Sequence, residues 1–187
     1  MKETKVGTQI WTKENLSLTK FLNGDDIPLV TNSDEWSALG KSKKPACAYL
    51  SYDEKNGKKY GLLYNYYAIT DKRGLAPEGW SIPTCEDWEQ LIKELGGENK
   101  AGIALKKKKA WEEDECSDSS GFSVIPSCHH DEYGNDNTIM MTACFWTSSK
   151  EGKNDADYVM IGSYSGEATI RVRGRAAGFS VRCVKNI

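Results

Sequence analysis

Two adjacent histidines, three alternating arginines, a run of oxygen-bearing side chains and six cysteines are the residues whose types and spacing could do chemistry in this chain. His129 and His130 are its only imidazoles. Successive side chains on an extended segment point to opposite faces, so the two cannot share one metal ion, and both read as surface residues. The segment Asp131-Glu132-Tyr133-Gly134-Asn135-Asp136-Asn137 has oxygen ligands enough for a hard cation such as calcium. It lacks the ordered spacing of an EF-hand, so a polar loop is the expectation. Arg171, Arg173 and Arg175 alternate with Val172 and Gly174. A strand there puts the arginines on one face and Ile170 and Val172 on the other, as a basic stripe for anionic groups or as the wet face of a sheet. The cysteines, at positions 47, 85, 116, 128, 144 and 183, contain no C-x-x-C pair. That disfavours zinc ribbons and thioredoxin-like chemistry and leaves disulfides and buried thiols both open. No G-x-S-x-G elbow, P-loop or G-x-G-x-x-G occurs, so the common hydrolase and nucleotide-binding signatures are missing. Asn15-Leu16-Ser17 matches a glycosylation sequon, a pattern too frequent to assign a role by itself.

The elements that must position these residues follow from periodicity. Val6 to Trp11 is a short apolar stretch, the Gly, Asp and Pro of residues 23–28 mark a turn, and residues 32–46 read as loop. Tyr60 to Ile69 is apolar on both of its period-two faces and reads as a buried central strand. The clearest local signal is a helix over 85–95: Thr84 and Asp87 form a capping box, Trp88, Leu91, Ile92 and Leu95 recur at helical spacing, and Gly96 stops it. A weaker helix is expected from Lys100 to about Lys108, with Lys106 to Lys109 as its solvated end. Beyond Gly121 the expected strands are Phe122–Ile125, Ala143–Thr147, Asp157–Ile161, Glu167–Arg173 and Phe179–Lys185. Two helices followed by short strands without βαβ alternation predict an α+β fold with antiparallel sheets.

Composition bounds the function. A chain of 187 residues suits one domain, taken as residues 1–187, and 39% hydrophobic residues are enough to build its core. Its nine tyrosines and six tryptophans suit recognition surfaces as well as packing. The net charge of −2 supplies no global field toward nucleic acid, so no nucleic-acid partner is expected. No apolar run is long enough to insert in a membrane, and no leader is evident, so Met1 fits either a native cytoplasmic start or a replaced leader.

Ordered segments along the chain carry a resemblance: Gly7-Thr-Gln-Ile-Trp11, Glu14-Asn-Leu16, Asn23-Gly-Asp-Asp-Ile-Pro28, Tyr60-Gly-Leu-Leu-Tyr-Asn-Tyr-Tyr-Ala68 and Arg73-Gly-Leu-Ala-Pro-Glu-Gly-Trp80. Pro83-Thr84 with Trp88, Gly121-Phe-Ser123, Phe145-Trp-Thr-Ser-Ser149 and Gly178-Phe-Ser-Val-Arg-Cys-Val184 continue the series. Over nearly its whole length the chain resembles the Fibrobacter succinogenes major paralogous domain family. The resemblance implies a bacterial protein, secreted or lipid-anchored at the cell surface, with one or two helices packed on short antiparallel strands in a fold similar to C-type lectins and the formylglycine-generating enzyme. The Glu-Pro-Asn and Trp-Asn-Asp motifs of calcium-dependent sugar binding are absent, as is the late, closely spaced cysteine pair of the enzyme relatives. The implied role is therefore a non-catalytic binding or display protein without a cofactor, with a protein or carbohydrate ligand. The alternatives are a divergent enzyme of that class and a structural subunit of a surface assembly. Variable proteins of diversity-generating retroelements also resemble this family and vary in the matching C-terminal segment. On that likeness Trp146 anchors a surface offering Asp155, Asp157, Tyr158, Ser163, Tyr164, Ser165, Arg171 and Arg173 as contacts. The same resemblance implies a disulfide between Cys47 and Cys183, which suits an oxidising, extracellular home.

Overall fold

A computed structural model of the chain describes residues 1–111, 116–137 and 142–186, with only the backbone at Asn137. The expectation for the Asn137 side chain thus lies outside the described residues. The chain opens with a hairpin of β1 (Glu3–Val6) and β2 (Gln9–Thr12), turned at Gly7, whose φ of +57° suits glycine. Residues 32–46 are not a loop throughout. Asn32 caps helix α1 (Ser33–Lys41) by accepting from the Glu35 N–H, and the helix buries Trp36 and Gly40. A Cβ on Gly40 would come within 2.8 Å of Ala176, so the helix packs there through its bare backbone. Too few apolar residues recur along α1 to announce it in the sequence.

The expected central strand over Tyr60–Ile69 is likewise corrected. After β3 (Cys47–Ala48) come α2 (Gly57–Tyr60), β4 (Leu63–Tyr64) and α3 (Tyr66–Ile69). Gly61 breaks the run at φ +74° and ψ −150°, and Asn65 caps α3 through Ala68 N–H. The segment is apolar on all sides because it threads the core, so period two was the wrong template.

After β5 (Trp80–Ser81), α4 (Cys85–Glu94) begins with the expected capping box: Asp87 N–H donates to Thr84 Oγ1 at 3.2 Å and Thr84 N–H to Asp87 Oδ2 at 2.8 Å. Its buried stripe is Trp88, Leu91 and Ile92. Helix α5 (Glu98–Leu105) stops before the lysine run, because the Lys107 N–H turns to the Val124 carbonyl at 2.8 Å. Among the described residues three helices of eight or more residues thus stand where two were expected.

The remaining strands are β6 (His129–His130), β7 (Asp136–Asn137), β8 (Thr142–Glu151), β9 (Asp155–Gly162), β10 (Ala168–Gly174) and β11 (Val184–Lys185). Strands β10-β9-β8 form one antiparallel sheet and β1-β2-β11-β5 another, with β3-β4 and β6-β7 as short pairs. The strand expected over 122–125 reduces to a single parallel bridge between Val124 and Lys106, and of 179–185 only β11 and bridges at Phe179 and Ser180 remain. The fold is thus mixed α and β, with mostly antiparallel sheets and few helices. Alternation along β8 sends Cys144 and Trp146 into one core cluster with Tyr64 and Phe179, and Ala143 and Phe145 into the other with Trp11, Trp88, α4 and α5. Among the described residues no helix is long and apolar enough to cross a membrane.

Candidate functional site

On one face of the β8-β9-β10 sheet, Trp146, Tyr158 and Arg171 lie side by side in register. Trp146 has no exposed surface, and its indole N–H donates to the Tyr64 carbonyl at 2.7 Å. The half-buried Tyr158 ring leans on Phe179, with centroids 4.5 Å apart, so it is fixed from beneath. Arg171 is exposed and donates from Nε to Thr169 Oγ1 at 3.2 Å, which leaves the tip of its guanidinium facing water. Arg173, next on this face, is engaged by Glu132: Nη2 donates to Oε2 at 3.1 Å and Nε lies 2.8 Å from Oε1. Glu132 sits in the 131–134 turn, which Asp131 builds by accepting from the Tyr133 and Asn135 N–H groups at 2.9 and 2.8 Å. The expected polar loop thus spends its carboxylates within the fold, and no metal-holding cluster of His, Cys, Asp or Glu occurs among the described residues.

Neither histidine is the expected surface residue. His129 is half-buried beneath this face, edge-on to Phe179 at 5.2 Å and with Nδ1 3.9 Å from Cys144 Sγ. Burial, reinforced by the Arg173 charge, pulls its pKa down to about 4, and burial pushes the Cys144 thiol up to about 12. At neutral pH both are uncharged, so the pair is a poor nucleophile–base couple. His130 points the other way, fully buried, with Nε2 2.9 Å from Asp136 Oδ1 and its ring against Trp36 and Tyr52. These aromatic rings cover the His130 imidazole, while the Asp136 side chain keeps 20% of its surface exposed.

The loop between β9 and β10 is held from behind. Lys106, read as part of a solvated end, is only 1% exposed, and its ammonium donates to the Ser163 and Ser165 carbonyls at 2.9 and 2.7 Å while lying 5.0 Å over the Trp111 ring. Gly102 on α5 touches the same loop, since a Cβ there would meet the Gly166 carbonyl oxygen at 2.7 Å. So gripped, the loop turns Tyr164 outward, 65% exposed. No sequence signal distinguishes Lys106 from the three lysines after it, because only the tertiary fold brings two carbonyls to its ammonium.

The nine expected site residues therefore occupy several places rather than one. Tyr158, Arg171 and Arg173 share the sheet face of the core-buried Trp146, which packs on the Phe179 cluster at β8 and β9 and reaches water at Arg171 on β10, and Tyr164 and the half-buried Ser165 lie at the loop end. Ser163 is only 4% exposed, so its hydroxyl is no adaptable contact. Asp157, half-buried, alternates to the opposite face from Tyr158, and Asp155 stands at the far end of β9, about 24 Å from the loop at strand rise. Val172 was expected inward and is 49% exposed, on β10, the edge strand of its sheet. Arg175 donates to the Asp155 and Gly152 carbonyls at 3.1 Å, bracing the β8-β9 turn. Cys47 and Cys183 are both free thiols, so the implied Cys47–Cys183 bridge is not formed in this structure. Both thiols lie buried in one core cluster, and burial pushes each up to about 12. The sequon residue Asn15 is spent structurally: it donates to the Tyr60 carbonyl at 2.9 Å and accepts from Arg182 Nε at 2.7 Å.

No curated protein and no solved structure matches the chain. The family model described as the Fibrobacter succinogenes major domain matches residues 4–185, nearly the full length. The chain belongs to the Fibrobacter succinogenes major domain family.

Proposed function

We propose that the chain is a non-catalytic ligand-binding or display module of the bacterial surface, with a C-type lectin-like fold, that engages a protein or carbohydrate ligand. One observation carries the reading: Tyr158, Arg171 and outward-turned Tyr164 are presented by a sheet and loop whose backbone is locked by a continuous ladder and by the buried Lys106. A fixed scaffold bearing tyrosine and arginine offers large contact area and planar hydrogen bonding at low ordering cost. Burial of the His130 imidazole and the raised pKa values of Cys47, Cys144 and Cys183 support a role without covalent chemistry. The same ladder tolerates changes in outward side chains, which suits a retroelement-diversified variable protein.

Two measurements test this. Binding of the purified chain to a glycan array, repeated with Arg171→Ala and Tyr164→Ala, should show at least one ligand whose affinity falls about ten-fold in each variant while the melting temperature stays put. If no ligand on the array loses affinity in either variant, this surface has no part in the function. The genomic neighbourhood should hold a reverse transcriptase gene and a template repeat matching the segment encoding residues 145–182, and absence of both would end the diversification reading.

A further inference from the structure

A second feature shares no residue with that surface. An open cleft of about 1330 Å³ runs between the end of β2, helix α2 and the segments at 107–111 and 123–126. Eight of the chain's 25 basic residues line it, in a protein whose net charge is −2. Lys58 and Lys59 stand on one wall, Lys107, Lys108 and Lys109 on another, and Lys13 between them. Lys2, also on the lining, pairs with Glu14 at 2.8 Å; none of the other seven has a carboxylate within 4.0 Å among the described residues. The acidic run at 112–115 that follows Trp111 in the sequence lies outside those residues.

At the back of the cleft is Arg182, 3% exposed, whose hydrogen bonds among the described residues go to neutral oxygens: Asn15 Oδ1 at 2.7 Å, Thr12 O at 3.0 Å and Phe122 O at 2.9 Å, with the Glu14 and Asp118 carboxylates acting on it without a direct bond. A buried cation without a direct counter-ion is costly, and desolvation lowers the Arg182 pKa to about 9. Negative charge placed in the cleft would relieve both that cation and the mutual repulsion of the lysines.

The shape and chemistry select among anions. The volume exceeds the range of roughly 300–1,000 Å³ that suits single small molecules, so the occupant spans several units. Lysines act as mobile point charges rather than planar forks, which suits a ligand whose anionic groups are spaced irregularly. The aromatic rings of the lining, Tyr60 and Trp111, are each only 6% exposed and are covered by the ammonium groups of Lys59 at 4.6 Å and Lys106 at 5.0 Å. Bases of a single-stranded nucleic acid would find no open ring on which to stack. Exposed Ser17 supplies a hydroxyl for polar neighbours of the charges, whereas the Ser123 hydroxyl donates to Asp118 at 2.7 Å.

We infer that this cleft binds an acidic polysaccharide, a sugar chain carrying sulfate or carboxylate groups, gripped by Lys58, Lys59 and Lys107–Lys109 over the Arg182 floor. Titration calorimetry of the full chain with dextran sulfate, polygalacturonate, unmodified dextran and oligo-dT tests it. Dextran sulfate or polygalacturonate should bind, with affinity falling steeply as salt rises, and unmodified dextran should not. A combined Lys107→Gln, Lys108→Gln, Lys109→Gln variant should weaken binding at least about ten-fold. Because these lysines are exposed, the variant should keep its melting temperature. The same change at Lys41, Lys43 and Lys44, which lie outside the cleft, should leave affinity unchanged. No binding of either acidic sugar, equal loss in both lysine variants, or tighter binding of oligo-dT would each overturn the inference. Arg171→Ala leaves this binding intact if the cleft acts alone, so failure here and failure of the sheet-surface reading are separable.

Discussion

The β8-β9-β10 sheet and the segment 44–70 are built by opposite means. The sheet is a backbone ladder: seven residue pairs join β10 to β9 in unbroken register, and side chains only choose which core they enter. In 44–70, β3 and β4 pair at just two positions, and side chains replace the ladder. Asn65 alone accepts from the Ala46 and Ala68 N–H groups at 3.1 and 3.0 Å and donates to the Lys44 carbonyl at 2.9 Å. Asn56 and Asn15 do the same for the Leu50 and Tyr60 carbonyls. A ladder is indifferent to the identity of its outward residues, whereas a side-chain network fails with one of its members. The contrast explains why a variable surface would sit on the sheet and why the segment 44–70 would stay fixed.

The sharpest break of this comparison is at the joint between the two regions, where Trp146 donates to Tyr64 O. Trp146→Ala should lose about 3–5 kcal/mol by denaturant unfolding, since it empties a fully buried ring site and leaves that carbonyl only its bond from the Phe179 N–H. Asn65→Ala should cost about 2–3 kcal/mol, because the buried Ala46 N–H and the Lys44 carbonyl lose their partner together and the Ala68 N–H keeps only the Asn65 carbonyl. An outward ladder position that proved equally costly would erase the distinction.

A pH effect comes next in size. Burial holds the His129 pKa at about 4 in the folded chain against an ordinary 6.5, so the unfolded chain binds more protons between those values. Stability is full above about pH 6.5 and falls toward pH 4, on the order of 2 kcal/mol. Thermal unfolding across that window should show the loss, and His129→Gln should flatten it. Thr84→Ala should cost about 1 kcal/mol by removing the α4 capping box. Smallest of all, Arg171→Ala on the exposed edge strand β10 should stay within about 0.5 kcal/mol of the parent in the same assay.

Read from residues alone, α4 was legible to its cap because the box and the apolar stripe are local, and the three long strands of the C-terminal sheet were legible because alternation and turn residues are local too. Family membership was legible because it rests on ordered motifs rather than contacts. Helix α1 and the broken run 57–69 were not, since their apolar residues answer to neighbours far away in the sequence: Trp36 donates to the Ala176 carbonyl, and Tyr64 O bonds to Phe179 N. The site residues divided in the same way. Alternation along β9 sends Tyr158 and Asp157 to opposite faces, although both were expected on one surface. The burial of Ser163, the Glu132 partner of Arg173, the Lys106 clamp and the gathering of lysines from positions 13, 58–59 and 107–109 around Arg182 were decided by tertiary structure, because each depends on segments dozens of residues apart meeting in space.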